Sequence, residues 1–247
     1  MVPLNNKRVA SGTKRGSVLS SCISVAVVWL VFASNAVALQ KVQTFAVESF
    51  PKSLDTQCRD GSAKLYDECG SQADILKTAV EKAAQTGKTA LVVYGAEWCV
   101  WCFVFDAYTK GHYREHYYAW ERDPKSDKWV MEKKSNEGAY AEANRLNQFV
   151  ADHFVIAHIE GDHSPDGASA IDSLGLSAAD INFYPFIASL TNKGVYASHL
   201  FGYEVMKVDE KRKNKDGQTL KSFDRSLLLN RLQMLRQAAL ELPVNKK

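Results

Sequence analysis

The sequence predicts an α/β domain whose central sheet is covered by helices on both faces. Three observations carry this. Residues 90–94 (Ala-Leu-Val-Val-Tyr), 154–159 and 186–190 are short, mostly apolar runs without period-two alternation, the pattern of strands buried on both faces. Residues 74–85 and 137–153, and the stripe Leu228, Leu232, Leu235, Ala239, instead place apolar side chains at helical spacing. Finally, Cys99-Val100-Trp101-Cys102 follows the first run after a short loop, which sets two thiols at a strand-to-helix junction.

Residues 1–38 read as a secretory signal peptide. Lys7, Arg8, Lys14 and Arg15 form a basic start, residues 23–32 (ISVAVVWLVF) an apolar stretch, and Ala36-Val37-Ala38 an A-x-A cleavage site. An uncleaved membrane anchor is the alternative, although the apolar run is short for a span. Cys22 precedes the apolar run and would leave with the signal. Cleavage after Ala38 leaves 27 Lys and Arg against 28 Asp and Glu. The basic balance of the whole chain is therefore a targeting feature and does not indicate nucleic acid, and no nucleic-acid partner is expected. The expected product is exported, periplasmic in a bacterium, with no stable membrane span and about 209 residues, enough for one sizeable core.

Residues 39–73 form an N-terminal extension ahead of a domain at 74–247. A weak alternation at 40–47 suggests an edge strand. Of the four remaining cysteines, Cys99 and Cys102 pair with each other, leaving Cys58 with Cys69 in a polar, turn-rich stretch. That second pair is either a structural disulfide pinning the extension or a further exchange pair.

The helix over 74–85 carries Leu76, Ala79, Val80 and Ala83 on one face and ends before Gly87. The strand at 88–94 follows, then Gly95-Ala96-Glu97-Trp98 and the cysteine pair. A helix starting at Cys99 aims its unpaired N–H groups and its dipole at that sulfur. Both favour the thiolate, the attacking species. Cys102, one turn inside, is placed to resolve a mixed disulfide formed on Cys99. A lone C-x-x-C also serves as half of a zinc site, but the strand before it and the tryptophan beside it favour redox chemistry.

The helix continues to Thr109 and stops near Gly111. Residues 111–136 are aromatic and charged (His112, Tyr113, Tyr117, Tyr118, Trp120, Trp129), with a turn at 123–127 that suggests a hairpin over 118–132. This stretch is either a cap beside the active site or a packed decoration. His112 and His116 would share a helical face, but no third ligand accompanies them, and no metal is expected. After the helix at 137–153 and the strand at 154–159 come a loop containing Asp162-His163 and a short helical turn at 171–176. Next are Asn182-Phe183-Tyr184-Pro185, the strand at 186–190, a turn at Asn192-Lys193-Gly194 and a returning strand at 195–203. Residues 208–219 read as a charged, flexible connection. Ser222 is expected to cap the last helix, and Pro243 to end it.

The segment 94–102 (Tyr-Gly-Ala-Glu-Trp-Cys-Val-Trp-Cys) resembles the active-site segment of the thioredoxin superfamily, in its exported W-C-x-W-C form. The lead-in 83–89, the segment 146–157, the run Tyr184-Pro185-Phe186 with its hairpin turn, and Gly202 resemble further landmarks of that superfamily. The likeness spans residues 74–240, interrupted by the insertion at 111–136. It implies a thioredoxin-like fold, a central mixed sheet flanked by helices. It also implies that Pro185 is cis and faces the cysteine pair, so that Tyr184 and Pro185 present backbone to an extended substrate. Two departures stand out. Val100-Trp101 replaces the Gly-Pro of thioredoxin itself. Val93 stands where thioredoxin has a buried acid, leaving water or Glu97 to take the proton of Cys102; Glu97 itself reads as an exposed loop acid.

The expected function is an exported thiol–disulfide oxidoreductase acting on protein disulfides, a reductase or isomerase in preference to an oxidase. Cys99 and Cys102 are its catalytic, redox-active pair, and Trp98, Val100, Trp101, Tyr184 and Pro185 its substrate-binding residues. No cofactor is needed, because the electrons reside in the cysteines; a redox partner must recycle them. Two other classes stay open. One is a client-binding or assembly module with a merely structural disulfide. The other is a copper-handling chaperone using the two cysteines as soft ligands.

Overall fold

A computed structural model of the chain describes residues 44–59, 61–122, 129–136, 140–215 and 217–242. The expected signal peptide with its cleavage site, Cys22, the turn at 123–127 and Pro243 lie outside these residues.

The elements run β1 (Glu48–Phe50), α1 (Gln72–Thr86), β2 (Thr89–Gly95), α2 (Val100–Thr109), β3 (Glu115–Arg122), β4 (Trp129–Asn136) and α3 (Tyr140–His153). They continue with β5 (Phe154–Glu160), α4 (Gly167–Asp172), β6 (Phe186–Leu190), β7 (Tyr196–Phe201), β8 (Met206–Lys213), β9 (Thr219–Phe223) and α5 (Arg225–Glu241). The first sheet has the order β1-β5-β2-β6-β7. β1, β5 and β2 run parallel, whereas β6 and β7 are antiparallel to their neighbours. This is the predicted central mixed sheet flanked by helices.

Every residue of β2, β5 and β6 is buried, which explains their lack of alternation. Leu91, Val93, Phe154 and Ile156 face one helical layer with Val104 and Phe105 of α2, Leu146 and Val150 of α3, and Leu228 and Leu232 of α5. Ala90, Val92, Tyr94, Val155, Ala157 and Ile159 face the other layer with Ile75, Leu76, Ala79 and Ala83 of α1. Gly87 ends α1 in the left-handed conformation at φ 67°, and its N–H donates back to Ala83 and Ala84, as the sequence predicts for that position.

Several expectations are corrected. Of the edge strand expected at 40–47, residues 40–43 lie outside the described residues and 44–47 are not in a strand; the strand that pairs with β5 is Glu48–Phe50. The helical turn expected at 171–176 is α4 at Gly167–Asp172. The charged connection at 208–219 contains β8, which pairs antiparallel with β9. Ser222 does not cap the last helix. It is buried in β9, its hydroxyl 3.1 Å from that of Tyr108, while Asp224 caps α5 by accepting the Leu227 N–H at 2.9 Å. Residues 111–136 do supply the predicted hairpin, in longer form: β3 and β4 pair from Glu115 opposite Asn136 to Arg122 opposite Trp129. They are not an isolated insertion, because β3 also pairs with β9 and a second sheet results, of order β4-β3-β9-β8.

That second sheet is tied to α2. The Arg225 guanidinium lies 3.7 Å from the Tyr108 ring centre and donates to the carbonyls of His112 and Arg114 at 2.9 and 2.7 Å. The backbone N–H of His116 donates to the Tyr108 hydroxyl at 3.0 Å. His112 and His116 are not on a helix; His116 lies in β3, with the two rings 4.9 Å apart. Among the described residues no group of three or more His, Cys, Asp or Glu side chains could hold a metal ion, and no helix is long and apolar enough to cross a membrane.

Candidate active site

β2 delivers the chain to the carboxyl edge of the central sheet, and residues 96–98 turn it into α2. Cys99 is the N-cap of that helix, with extended backbone, and its sulfur accepts the backbone N–H of Cys102 at 3.1 Å. Cys99 and Cys102 are joined as a disulfide with their α-carbons 5.3 Å apart. Cys99 is 3% exposed and Cys102 fully buried.

The Tyr184–Pro185 peptide bond is cis, as the resemblance implies. Pro185 leads directly into β6, the antiparallel neighbour of β2. Gly202 fits this spot because a Cβ there would stand 2.8 Å from the Pro185 ring, and its N–H donates to the Pro185 carbonyl at 2.8 Å. A groove of about 200 Å³ runs between the two segments, lined by Trp98, Cys99, Val100, Trp101, Asn182, Phe183 and Tyr184. The structure therefore brings Trp98, Val100, Trp101 and Tyr184 together around Cys99, with Pro185 directly behind Tyr184.

The two tryptophans differ. Trp98 is 60% exposed, donates its indole N–H to Asp162 at 2.8 Å, and tilts against Tyr184 with ring centres 5.9 Å apart. Trp101 is wedged against Tyr118 of β3 and Phe223 of β9, each 5.3 Å away between ring centres. The second sheet thus packs against α2 through Trp101, while none of its described residues is among those lining the groove.

The disulfide-closed loop of the N-terminal extension is part of the site. Cys58 and Cys69 are disulfide-bonded, and Arg59 and Glu68 pair across the loop they close, at 2.9 Å. Leu65 and Tyr66 of this loop pack against Cys99 and Cys102. Glu97 holds them there. It is not the exposed loop acid that the sequence suggests: its carboxylate accepts the backbone N–H groups of Lys64, Leu65 and Tyr66 at 2.6, 3.0 and 2.9 Å. With its oxygens committed to those donors, Glu97 is poorly placed to take a proton from Cys102.

Behind the disulfide lies a set of buried polar groups that sequence reasoning missed. Val93 is paired in register with His158 of β5, so an ionisable group enters from the adjacent strand. His158 is 2% exposed, with Nε2 3.4 Å from Oδ1 of Asp106, one turn along α2 from Cys102. Burial pushes the Asp106 carboxyl up, but His158 and Lys110 more than offset this and hold it below the ordinary carboxylate value. Glu160, fully buried, accepts the N–H groups of Glu97, Asp162 and His163 at 3.0, 2.8 and 3.0 Å, yet burial raises its pKa. Tyr66 is fully buried, its ring edge-on to His158 at 5.5 Å. Burial, followed by the carboxylates of Glu160, Asp106 and Glu97, raises its phenol well above the ordinary value. Period-two placement on β5 could have flagged His158. No local signal could have flagged Tyr66, which arrives from a loop 33 residues before Cys99.

No family model and no curated protein matches the chain. Among solved structures, it is similar to a disulphide isomerase from Xylella fastidiosa Temecula1, at 15% identity over 66% of this chain and 92% of that one, with a TM-score of 0.37.

Proposed function

We propose that the protein is an exported thiol–disulfide oxidoreductase acting on protein disulfides. The observation that carries this is the Cys99–Cys102 disulfide at the start of α2, beside a groove whose other wall is the cis Tyr184–Pro185 segment. In the reduced protein the Cys99 sulfur sits at the positive end of α2 and accepts the Cys102 N–H. Both interactions stabilise a thiolate. That thiolate attacks one sulfur of a client disulfide, which gives a mixed disulfide and releases the first client thiolate. Cys102 then attacks Cys99, reforming the internal disulfide and releasing the second client sulfur. The apolar walls of Trp98, Val100, Phe183 and Tyr184 suit an extended polypeptide with apolar side chains next to its cysteine. A separate redox partner restores the pair.

Among the described residues, the groove lining has no cationic side chain to hold the Cys99 thiolate further, which favours a reductase or isomerase over a strong oxidant. The near-complete burial of both sulfurs supports a second reading, a client-binding module whose disulfide is structural. One experiment separates them. The protein is equilibrated with glutathione buffers and its free thiols are counted, alongside Cys99→Ser and Cys102→Ser. The oxidoreductase reading expects a reversible two-electron transition, lost in Cys99→Ser, and an accumulated mixed disulfide in Cys102→Ser. A pair that never exchanges overturns it in favour of the binding module.

A further inference from the structure

The Tyr66 hydroxyl is fully buried and has no hydrogen-bond partner among the described residues. It is not remote from the chemistry. A Cβ on Gly95 would meet the Cys102 sulfur at 2.5 Å and the Tyr66 hydroxyl at 2.6 Å, so both atoms crowd the same bare α-carbon. Gly95 leaves the space that hydroxyl and sulfur both approach, with no hydrogen bond between them in the oxidised protein. A disulfide sulfur is a poor acceptor, whereas a thiolate is a strong one. The oxidised protein therefore carries a buried donor whose natural acceptor exists only after reduction.

The geometry points to Tyr66 as the hydrogen-bond donor to Cys102 in the reduced protein and in the mixed disulfide, setting the thiolate character of the resolving cysteine. This deepens the oxidoreductase reading and rests on it. The charged and titratable neighbours argue that such a donor is needed. Asp106, paired with His158 and Lys110, lies on α2; Glu160 lies on β5; Glu97 lies in the loop after β2; Tyr184 lies on the cis-proline segment. Burial first, and then the carboxylates of Glu160, Asp106 and Glu97, keep the Tyr66 phenol protonated, hence a donor throughout, and the same carboxylates disfavour a thiolate formed beside it. In the resolving step the Cys99–Cys102 bond forms and the bond from Cys99 to the client sulfur breaks. The client sulfur leaves with the electron pair, and the proton given up by Cys102 ends on that sulfur in the net reaction. Tyr66 holds its proton on both sides of the step. Its loop is fastened by Cys58–Cys69 and by Glu97, so the donor is carried by a segment outside the thioredoxin-like landmarks.

The test is Tyr66→Phe, which keeps the ring and removes the hydroxyl. It relieves the oxidised form of an unpaired donor and deprives the reduced form of a bond, so both effects favour the disulfide. The equilibrium with glutathione should shift toward the disulfide about tenfold, which is about 30 mV for a two-electron couple. Independently, Cys102 is titrated through its thiolate absorbance in a Cys99→Ser background, where adding Tyr66→Phe should move the midpoint to higher pH. A merely structural Tyr66 would change thermal stability and leave both readouts alone. An equilibrium within twofold of the parent together with an unmoved Cys102 midpoint overturns the inference. Failure of the parent protein to exchange with glutathione overturns the oxidoreductase reading instead, and the Cys102 titration still decides the role of Tyr66.

Discussion

Replacing Glu97 with alanine should open the loop that covers the active site without unfolding the domain. The carboxylate accepts three consecutive backbone N–H groups, those of Lys64, Leu65 and Tyr66. The first is exposed and can turn to water; the other two are partly buried. A hydrogen bond to a charged acceptor is worth about 1.5 kcal/mol or more, so the two inner bonds together contribute about 3 kcal/mol to closing the loop. That corresponds to a change of about a hundredfold in the closed-to-open ratio. Global stability should fall by less, because Cys58–Cys69 still limits how far the loop can stray and the central sheet is untouched. The assay is amide hydrogen exchange at Leu65 and Tyr66, with the β5 amides as the internal reference. Exchange at the two loop amides should accelerate about a hundredfold, with β5 unchanged. Alkylation of reduced Cys99 should also speed up, since Leu65 no longer covers it. Glu97→Gln keeps one acceptor oxygen and should fall between. Acceleration below about threefold in Glu97→Ala would show that packing of Leu65 and Tyr66, and not Glu97, holds the loop, and would refute the reasoning.

Two further predictions concern the far side of α2. Trp101→Ala should remove the ring wedged against Tyr118 and Phe223 and destabilise the protein by about 3 kcal/mol, the lower end for a large aromatic because the side chain is only partly buried. Urea unfolding followed by circular dichroism measures it, and a loss under 1 kcal/mol would mean that the second sheet docks without Trp101. Asp106→Asn should change the acid limb of stability. A carboxyl held below its unfolded value contributes stability that is present above the unfolded pKa, about 3.9, and is lost as pH falls through the folded pKa. The gap between parent and Asp106→Asn should therefore be full near pH 6, shrink below pH 4 and vanish at the lowest pH. A gap constant from pH 6 to pH 2 in thermal unfolding would show that the carboxylate charge contributes nothing.

The parts of the fold legible in the sequence are those whose environment is uniform. β2, β5 and β6 are buried on both faces, so their composition alone marks them, and α1 shows its stripe because only one face meets the sheet. The cysteine pair at the start of α2 was legible from its spacing and its place just after the apolar run of β2. β8 was not legible, since it sits at the edge of the second sheet. Lys207, Asp209, Lys211 and Lys213 there follow solvent and cross-strand partners, and such a strand resembles a charged loop. The misplaced cap has a related cause: Ser222 and Asp224 are both good caps, and only the docking of β9 under Tyr108 decides between them.

The least legible part of the site is also the part that distinguishes it. At Val93, where the resemblance drawn from residues 94–102 leads one to look for an acid, this chain has an apolar residue, and its polar groups come from elsewhere: His158 from the next strand, Asp106 from the helix, Tyr66 from the disulfide-closed loop. The last of these depends on a continuous chain of hydrogen bonds. Gln72, at the start of α1, accepts the N–H of Glu160 at 2.8 Å; Glu160 accepts the N–H of Glu97; Glu97 accepts the N–H of Tyr66. Each link joins a different segment, so the position of the Tyr66 hydroxyl is set jointly by the first helix, the fifth strand and the turn before the cysteines. A carboxylate in such a chain acts by where it holds other atoms. That explains why Glu97 and Glu160, the two acids near the cysteine pair, are occupied by backbone donors and neither is free to serve as its base.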